Sequence, residues 1–503
     1  MSNNKKYKVG DVATNIIVLL ILIYVLSNAN VFTFFADATA CISRPATFFY
    51  DNDLKQFIFS GKYDNGDPKV IQYLLASWWH IAGRNMMTTH IFFIAATAGM
   101  LLQLKKFCWL SAKKITDTEN GADLFSFAAF AVAISDPTVL SQSILMTTDV
   151  WLCFFGLLAM NSVLDSRKKQ MCISMLLLCM TSRRGMICSA VIMIICHFTG
   201  NNNSETKKKN LVAMTPAVVY VICFVIFRLS HQGWIFTSPD NIWGGTGETA
   251  SIGQLAKNIC IYGFQNLEYG RFLLWLLLLT AVFIRKNATD LYKRLQTNWT
   301  LYVAMQIAIA MVTLPLSNMI GERYFTMSFI IFDVTATLCI INTARKELEN
   351  ISIKWQHCGL LFVCVGLFAS NFIIYREKMA QSWDCSLAHT EFYNIRKKCM
   401  LWIEEQGIDK KNIASGMNIS GPQNLIFVDN DSSEIKNEIT SETRYYLYSN
   451  ICNEDDEMID YLSNSSKTLA IFSSQNTIEE PSVSEPSTEW KNNNIFIIVK
   501  ELK

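Results

Sequence analysis

Apolar runs long enough to cross a bilayer recur through the first three-quarters of the chain, and no other feature limits its fold as strongly. A span needs about 20 mostly apolar residues. Segments of that kind begin near Thr14, Thr88, Ala122, Asp149, Met171, Gly185, Leu211, Phe272, Thr300, Tyr324 and Cys358, about eleven in all. Charged residues make up 17% of the chain, against about 25% in soluble domains. Mean hydropathy is +0.23. The net charge of +2 argues against a nucleic-acid partner. The first run follows the basic start "NNKKYK", and no small-residue cleavage site closes it. It reads as a retained span rather than a removed signal peptide.

Short-loop Lys/Arg bias sets the expected orientation. The basic clusters "KKYK", "KKFCWLSAKK", "SRKKQ", "ETKKKN", "RKNATDLYKR" and "ARKE" all fall on the cytoplasmic side if the N-terminus is inside. That agreement requires "MCISMLLLCMTSRRGMICSAVIMIICHF" to be two spans turning outside at "TSRRG". Three long loops then lie outside: 36–85, 136–149 and 230–271. The first contains "DPKVIQYLLASWWHIAG", an amphipathic stretch suited to the membrane interface.

Beyond residue 375 the composition turns polar and acidic. The runs "NLIFV", "RYYLY", "TLAIF" and "NIFIIVK" read as strands. "LAHTEFYNIRKKCMLWIEEQ" and "NEDDEMIDYLSN" between them read as helices, the second with Asn453 as N-cap. "NTIEEPSVSEPSTEW" reads as a loop. The expected organisation is a transmembrane unit over 1–375 and an extracytoplasmic α/β domain over 376–503. Most of the 15 cysteines sit in apolar runs as small hydrophobes. On the oxidising side of the membrane, two of Cys385, Cys399 and Cys452 could pair.

Several charges stand at the outer ends of these runs. Asp51 and Asp53 in "FFYDNDLKQF" offer a general base at the membrane face, and their D-x-D spacing could hold a divalent metal. Arg183 and Arg184 oppose the positive-inside trend and could clamp a lipid phosphate; the plainer alternative is snorkelling to outer headgroups. In "NMIGERYF", Glu322, Arg323 and Tyr324 close a span, with Arg323 a phosphate ligand or one half of an interfacial Arg-Tyr belt. Asp67 and Lys69 in "GDPKVIQY", and Asp149 in "MTTDVW", sit at helix starts, where an acid also favours the helix dipole. His80 on an apolar stretch reads as structural. No nucleophile elbow, zinc motif or P-loop is present, and "GGTGETAS" lacks the Lys-Ser/Thr of a P-loop.

Taken together these segments resemble a membrane glycosyltransferase of the GT-C class, similar to the protein O-mannosyltransferases and the bacterial aminoarabinose transferases. That family has one span, then a long outer loop with an acidic catalytic motif near its start and helices along the membrane. "FFYDNDLKQF" stands where the acid is expected, "GDPKVIQYLLASWWHIAGR" resembles the juxtamembrane stretch, "SQSILMTTDVWLCFFGLLAM" the third-to-fourth span turn, and "GERYFTMSFIIF" the late Arg-Tyr motif. The family's usual Asp-Glu is here Asp-Asn-Asp, and its Pro-Pro is Asp67-Pro68-Lys69. The resemblance implies an inverting transfer of sugar from a polyprenyl-phosphate donor to a lipid, glycan or protein acceptor, in a bacterial inner membrane with the C-terminal domain outside. Asp51 or Asp53 would take the acceptor's proton, while Lys69, Arg183, Arg184, Arg323 and Tyr324 would hold the donor phosphate. No organic cofactor is expected, and a metal only at Asp51/Asp53. A lipid-linked-sugar flippase and a non-catalytic scaffold are the competing classes. An enzyme requires Asp51 or Asp53, Arg183/Arg184 and Arg323 to converge on one outer cavity; a scaffold does not.

Overall fold

Inside a bilayer the backbone has no hydrogen-bond partner but itself, so an isolated apolar run coils. The computed structural model describes residues 9–502, apart from 36, 60, 62, 200–203, 236–237, 239–247, 285–287, 318–320, 348–353, 378–381, 453, 475–476 and 479–485. A helix stands at each of the eleven expected starts. These are α1 (Val9–Ser27), α4 (Met86–Ala112), α5 (Glu119–Ser135), α7 (Thr148–Leu164), α8 (Lys168–Thr181), α9 (Arg183–Thr199), α10 (Ser204–Gln232), α12 (Arg271–Ile284), α13 (Ala288–Thr313), α14 (Thr326–Glu347) and α15 (Lys354–Ser370). Connecting helices are α2 (Arg44–Asp51), α3 (Val70–Ala82), α6 (Pro137–Gln142) and α11 (Ile252–Gln265).

Four segments are long and apolar enough to cross a membrane: Val9–Ser27, Met86–Ala112, Asn210–Gln232 and Glu322–Thr343. Thr148–Leu164, Arg271–Phe283 and Gly359–Ser370 are shorter apolar helices. The outer helices turn bulky apolar side chains outward, among them Ile16, Leu20 and Ile23 on α1, Ile222 and Ile226 on α10, and Leu276 and Leu279 on α12. Water would penalise such a belt and lipid does not. The chain is a membrane protein, mostly helical, with a small sheet region near its C-terminus.

"TSRRG" does break into two helices. Ser182 is extended (φ −168°, ψ 169°) between α8 and α9, and its hydroxyl accepts from Gly185 N at 3.1 Å. Only glycine fits at 185, because a Cβ there would stand 2.1 Å from the Leu178 carbonyl oxygen. The first loop carries a π-helical turn (Thr39–Ser43) leading into α2, which has Pro45 in its first turn. α3 buries Ile71, Leu75 and Trp79 and leaves Leu74 and Ile81 exposed, the two-faced helix expected there.

The C-terminal region adds α16 (Thr390–Glu405), α17 (Gln423–Ile426), α18 (Asp456–Ser465) and α19 (Thr488–Asn493). Its strands are β1 (Ile413–Ser415), β2 (Gly421–Pro422), β3 (Glu434–Ile435), β4 (Tyr445–Tyr448), β5 (Ser466–Ser473), β6 (Thr477–Ile478) and β7 (Phe496–Leu502). The five-stranded sheet runs β1-β4-β7-β5-β6, parallel only between β1 and β4. Four sequence expectations need correction. "NLIFV" is the one-turn helix α17 rather than a strand. Its carbonyls face the first loop, where Ser43 Oγ donates to Leu425 O at 2.6 Å and Phe34 N to Ile426 O at 3.1 Å. α18 is capped by Asp455, whose carboxylate accepts from Met458 N at 2.7 Å; Asn453 lies outside the described residues. Cys385, Cys399 and Cys452 are all buried free thiols. Of the expected loop "NTIEEPSVSEPSTEW", Thr477–Ile478 pair as a strand and Thr488–Trp490 open α19, while 479–485 lie outside the described residues.

One ion cluster pins the helical bundle from within. Arg271, at the start of α12, reaches Asp136 through Nε–Oδ2 at 2.5 Å and Nη2–Oδ1 at 2.9 Å, and pairs with Glu322. All three side chains are 0% exposed. Asp136 also caps α6, accepting from Thr138 N at 2.9 Å. Removing the cation strands two buried carboxylates, which typically costs about 3–5 kcal/mol. Arg271→Leu is therefore expected to lose about that much in chemical unfolding of the detergent-solubilised protein. A loss below about 1 kcal/mol, the range of an exposed pair, would show that the cluster does not bear this role.

Candidate functional site

At the end of the bundle that carries the first loop and the C-terminal segment, five cations meet five carboxylates among the described residues. Arg323 is held by Asp37, and its Nη1 lies 2.8 Å from Asp384 Oδ2. Arg184 Nη1 lies 2.6 Å from Asp149 Oδ1 and 3.5 Å from the Arg323 carbonyl oxygen. Tyr324 lies beneath both guanidinium groups, its ring centroid 4.7 Å from Arg184 and 5.8 Å from Arg323. Arg183 contacts Asp67 Oδ1 through Nε at 3.1 Å and through its backbone N–H at 3.0 Å. Lys69 reaches Asp64 at 3.2 Å and Asn65 Oδ1 at 2.5 Å. Arg228 Nη1 reaches the other Asp64 oxygen at 2.7 Å and stacks 3.9 Å from the Trp234 ring centroid.

Local structure explains each placement. Arg183 and Arg184 occupy the first turn of α9, where the Ser182 break leaves them. Thr147 caps α7, its hydroxyl accepting from Asp149 N at 3.2 Å, and aims Asp149 at Arg184. Arg323 and Tyr324 sit in a 3-10 turn, Glu322–Phe325, that leads into α14. Asp64, Asn65 and Asp67 belong to the short segment that precedes α3; the Gly66 N–H donates to Asp64 Oδ1 at 3.0 Å.

The array balances in total, yet it is polarised. At one end a single guanidinium, Arg323, serves two carboxylates. At the other a single carboxylate, Asp64, serves two cations. Arg228 is buried there, and among the described residues its Nε and Nη2 donors have no hydrogen-bond partner. Buried guanidinium donors without acceptors are costly, so this end is suited to an additional anion. Cys41 lies between the ends, 3.5 Å from Asn65 Nδ2 and in the fields of Asp37, Lys69, Arg323 and Asp67. Burial first, then Asp37, pushes its thiol up to about 12, so it stays protonated at neutral pH. Burial also pushes the Asp67 carboxyl up, but Arg183, Lys69 and the Arg183 N–H outweigh it and leave Asp67 below its ordinary value.

The sequence-predicted residues divide into two groups. Lys69, Asp67, Asp149, Arg183, Arg184, Arg323 and Tyr324 come together. Glu322 turns instead to Arg271 in the interior. Asp51 and Asp53 stand apart from the array, at the exposed C-terminal end of α2. Asp53 has a left-handed backbone (φ 51°) and pairs with Lys55 at 3.1 Å, both side chains more than two-thirds exposed. No group of three or more His, Cys, Asp or Glu suited to a metal occurs among the described residues. His80 stacks on Tyr50 at 4.4 Å.

Asp37, Asp64, Arg228 and Asp384 also belong to the array and stand outside the motifs of the sequence analysis. Arg228 carried a usable signal, an arginine inside the apolar "VICFVIFRLSHQ". Asp37 follows directly on the apolar "VFTFFA" just past the first span. Asp64 and Asp384 acquire meaning only from their distant partners.

α8, α9 and α10 line an open apolar groove of about 170 Å³, with Met186, Ala190, Met193, Ala217, Val221 and Ile222 among its walls. Met186 stands one turn along α9 from Arg183.

No family model and no curated protein matches the chain. Among solved structures it is similar to the crystal structure of ArnT from Cupriavidus metallidurans bound to undecaprenyl phosphate. That likeness has 9% identity, covers 76% of this chain and 68% of the other, and has a TM-score of 0.46.

The Asp67–Arg183 pair makes a pH prediction. A carboxyl held below its ordinary value adds stability that is present above that value and is lost as pH falls through the lowered one. The melting-temperature gap between wild type and Asp67→Asn is expected to stay constant from neutral pH down to about 5. It should close as pH falls below the ordinary Asp value of 3.8. A gap that is unchanged at pH 3 would show that Asp67 is not held by charge.

Proposed function

We propose that this protein is an integral membrane glycosyltransferase that moves a sugar from a polyprenyl-phosphate donor to an acceptor on the outer face, with inversion. The observation that supports this reading is the polarised array, with two carboxylates around Arg323 at one end and two cations around Asp64 at the other. Such a transfer needs both. The acceptor hydroxyl or amine must lose a proton, and the phosphate must leave with the electron pair of the broken anomeric bond.

In this reading Asp37, in the first outer loop, takes the acceptor's proton. Asp51 and Asp53, our candidates from the sequence, lie on an exposed helix end away from the cations. The acceptor attacks the anomeric carbon opposite the phosphate. Charge gathering on the leaving phosphate meets Lys69 and the unpartnered Arg228 donors, with Arg183 and Arg184 alongside. A low-dielectric site strengthens these contacts. The isoprenoid tail lies along the apolar groove between α9 and α10. A metal at Asp51 and Asp53 fits poorly, since Asp53 is engaged by Lys55 and no third donor joins them among the described residues; no step uses one.

The test is transfer of radiolabelled sugar from membrane lipids in cells with matched expression of each variant. Asp37→Asn is expected to lower transfer by about 10²- to 10⁴-fold, the range of a lost general base. Arg228→Gln should lower it by about 10²-fold, the range of a lost charge-stabilising donor. Asp51→Asn and Asp53→Asn should transfer normally. If Asp37→Asn is active while Asp51→Asn or Asp53→Asn is dead, the base is in the D-x-D and the assignment moves there. Absence of any transfer by wild type removes the enzyme reading.

A further inference from the structure

Asp384 belongs to the C-terminal segment, yet its carboxylate sits inside the array on the helical bundle. The segment grips it firmly. Its backbone oxygen accepts from Ser141 Oγ at 3.0 Å and from Gln142 Nε2 at 2.7 Å, both from buried residues of α6. Trp383 and Cys385 on either side are buried. The contacts then run in a closed ring. Gln142 Oε1 accepts from Thr147 Oγ1 at 2.8 Å, and Thr147 accepts from Asp149 N. Asp149 pairs with Arg184, Arg184 reaches the Arg323 carbonyl, and Arg323 returns to Asp384.

We propose that Asp384 is a positioning residue of the transfer site: it occupies one arm of the Arg323 guanidinium, so that Asp37 keeps an oxygen for the acceptor's proton. The site is then complete only while the C-terminal segment is docked. A guanidinium is a planar fork that takes a carboxylate in bidentate fashion when it can. Bidentate capture of Asp37 would engage both of its oxygens. Here Asp384 takes Nη1 and Asp37 meets Nη2 through Oδ2. Burial pushes the Asp384 carboxyl above its ordinary value and Arg323 opposes this, so the residue and its cation depend on each other. The role differs from that of Asp37, because Asp384 acts through Arg323.

This inference rests on the transferase reading, and the experiment separates the two. Purified full-length wild type, D384N and D384E are reconstituted with radiolabelled polyprenyl-phosphate sugars extracted from host membranes, and rates are scaled to folded protein. D384N is expected to lose about 10- to 100-fold in kcat, the cost of a small misplacement at a reacting group. Half-saturation by the lipid should stay within about twofold, because the phosphate meets the opposite end of the array. D384E should recover most of the rate. A wild-type kcat in D384N, or a change confined to half-saturation or to melting temperature, overturns the proposal while leaving the transferase reading in place. If D384N does not fold, D384S, which also removes the carboxylate from Arg323, decides: a lowered kcat at unchanged half-saturation supports the role, and a wild-type kcat overturns it. If the wild type transfers nothing, both ideas fail together.

Discussion

Arg271 is the residue from which the rest of the site is built. It is fully buried, and it joins the N-cap of α6 to the turn that opens α14. Glu322 is fixed by that contact, and Arg323 is its next neighbour. α6 is fixed as well, and α6 supplies Ser141 and Gln142, which hold Asp384. A buried pair of this kind is a poor source of net stability, since desolvation offsets most of its attraction. What it supplies is geometry: moving any partner leaves a charge without a counter-charge, so three helices share one register. The Phe329 ring, 3.8 Å below the guanidinium, closes the remaining face.

The outer array follows a different logic. Among the described residues its ten charges sum to zero, so the cluster as a whole is not driven apart by like charge. Its ends are nevertheless unlike, because each is organised around a single residue shared by two of the opposite sign. Fixed dipoles of this sort cost no reorganisation when charge moves across them. Tyr324 offers its ring to both arginines, 4.7 Å from Arg184 and 5.8 Å from Arg323.

Much of this was visible in the sequence, for reasons that can be stated. An arginine between apolar runs is costly unless it has a task, which is why Arg183, Arg184 and Arg323 stood out; Asp67 and Asp149 stood out at helix starts. Apolar length located the helices well, because length and hydropathy alone decide whether a run coils in lipid. Asp51 and Asp53 stand out in the sequence as a D-x-D at the membrane face, where the resemblance places the catalytic acid. The backbone merely turns there, through Asp53 and Leu54 at positive φ, and points them at solvent. Asp37 was unremarkable in "FFADATA", since its partner is 286 residues away. "NLIFV" fits a strand and a buried helical turn equally well by pattern. Its carbonyl contacts to Ser43 and Phe34 are tertiary, and no local signal encodes them.

The strand order carries a consequence for synthesis. β7, residues 496–502, lies in the middle of the five-stranded sheet, between β4 and β5. The ribosome therefore delivers the central strand after both of its neighbours, and long after the helices that hold Arg184 and Arg323. Until those residues emerge, β4 and β5 have no partner between them. The region that follows Asp384 and rests on the first loop has no finished sheet behind it. A chain cut before residue 496 keeps every helix that carries Arg184, Arg228 and Arg323, yet leaves β4 and β5 without the strand that joins them.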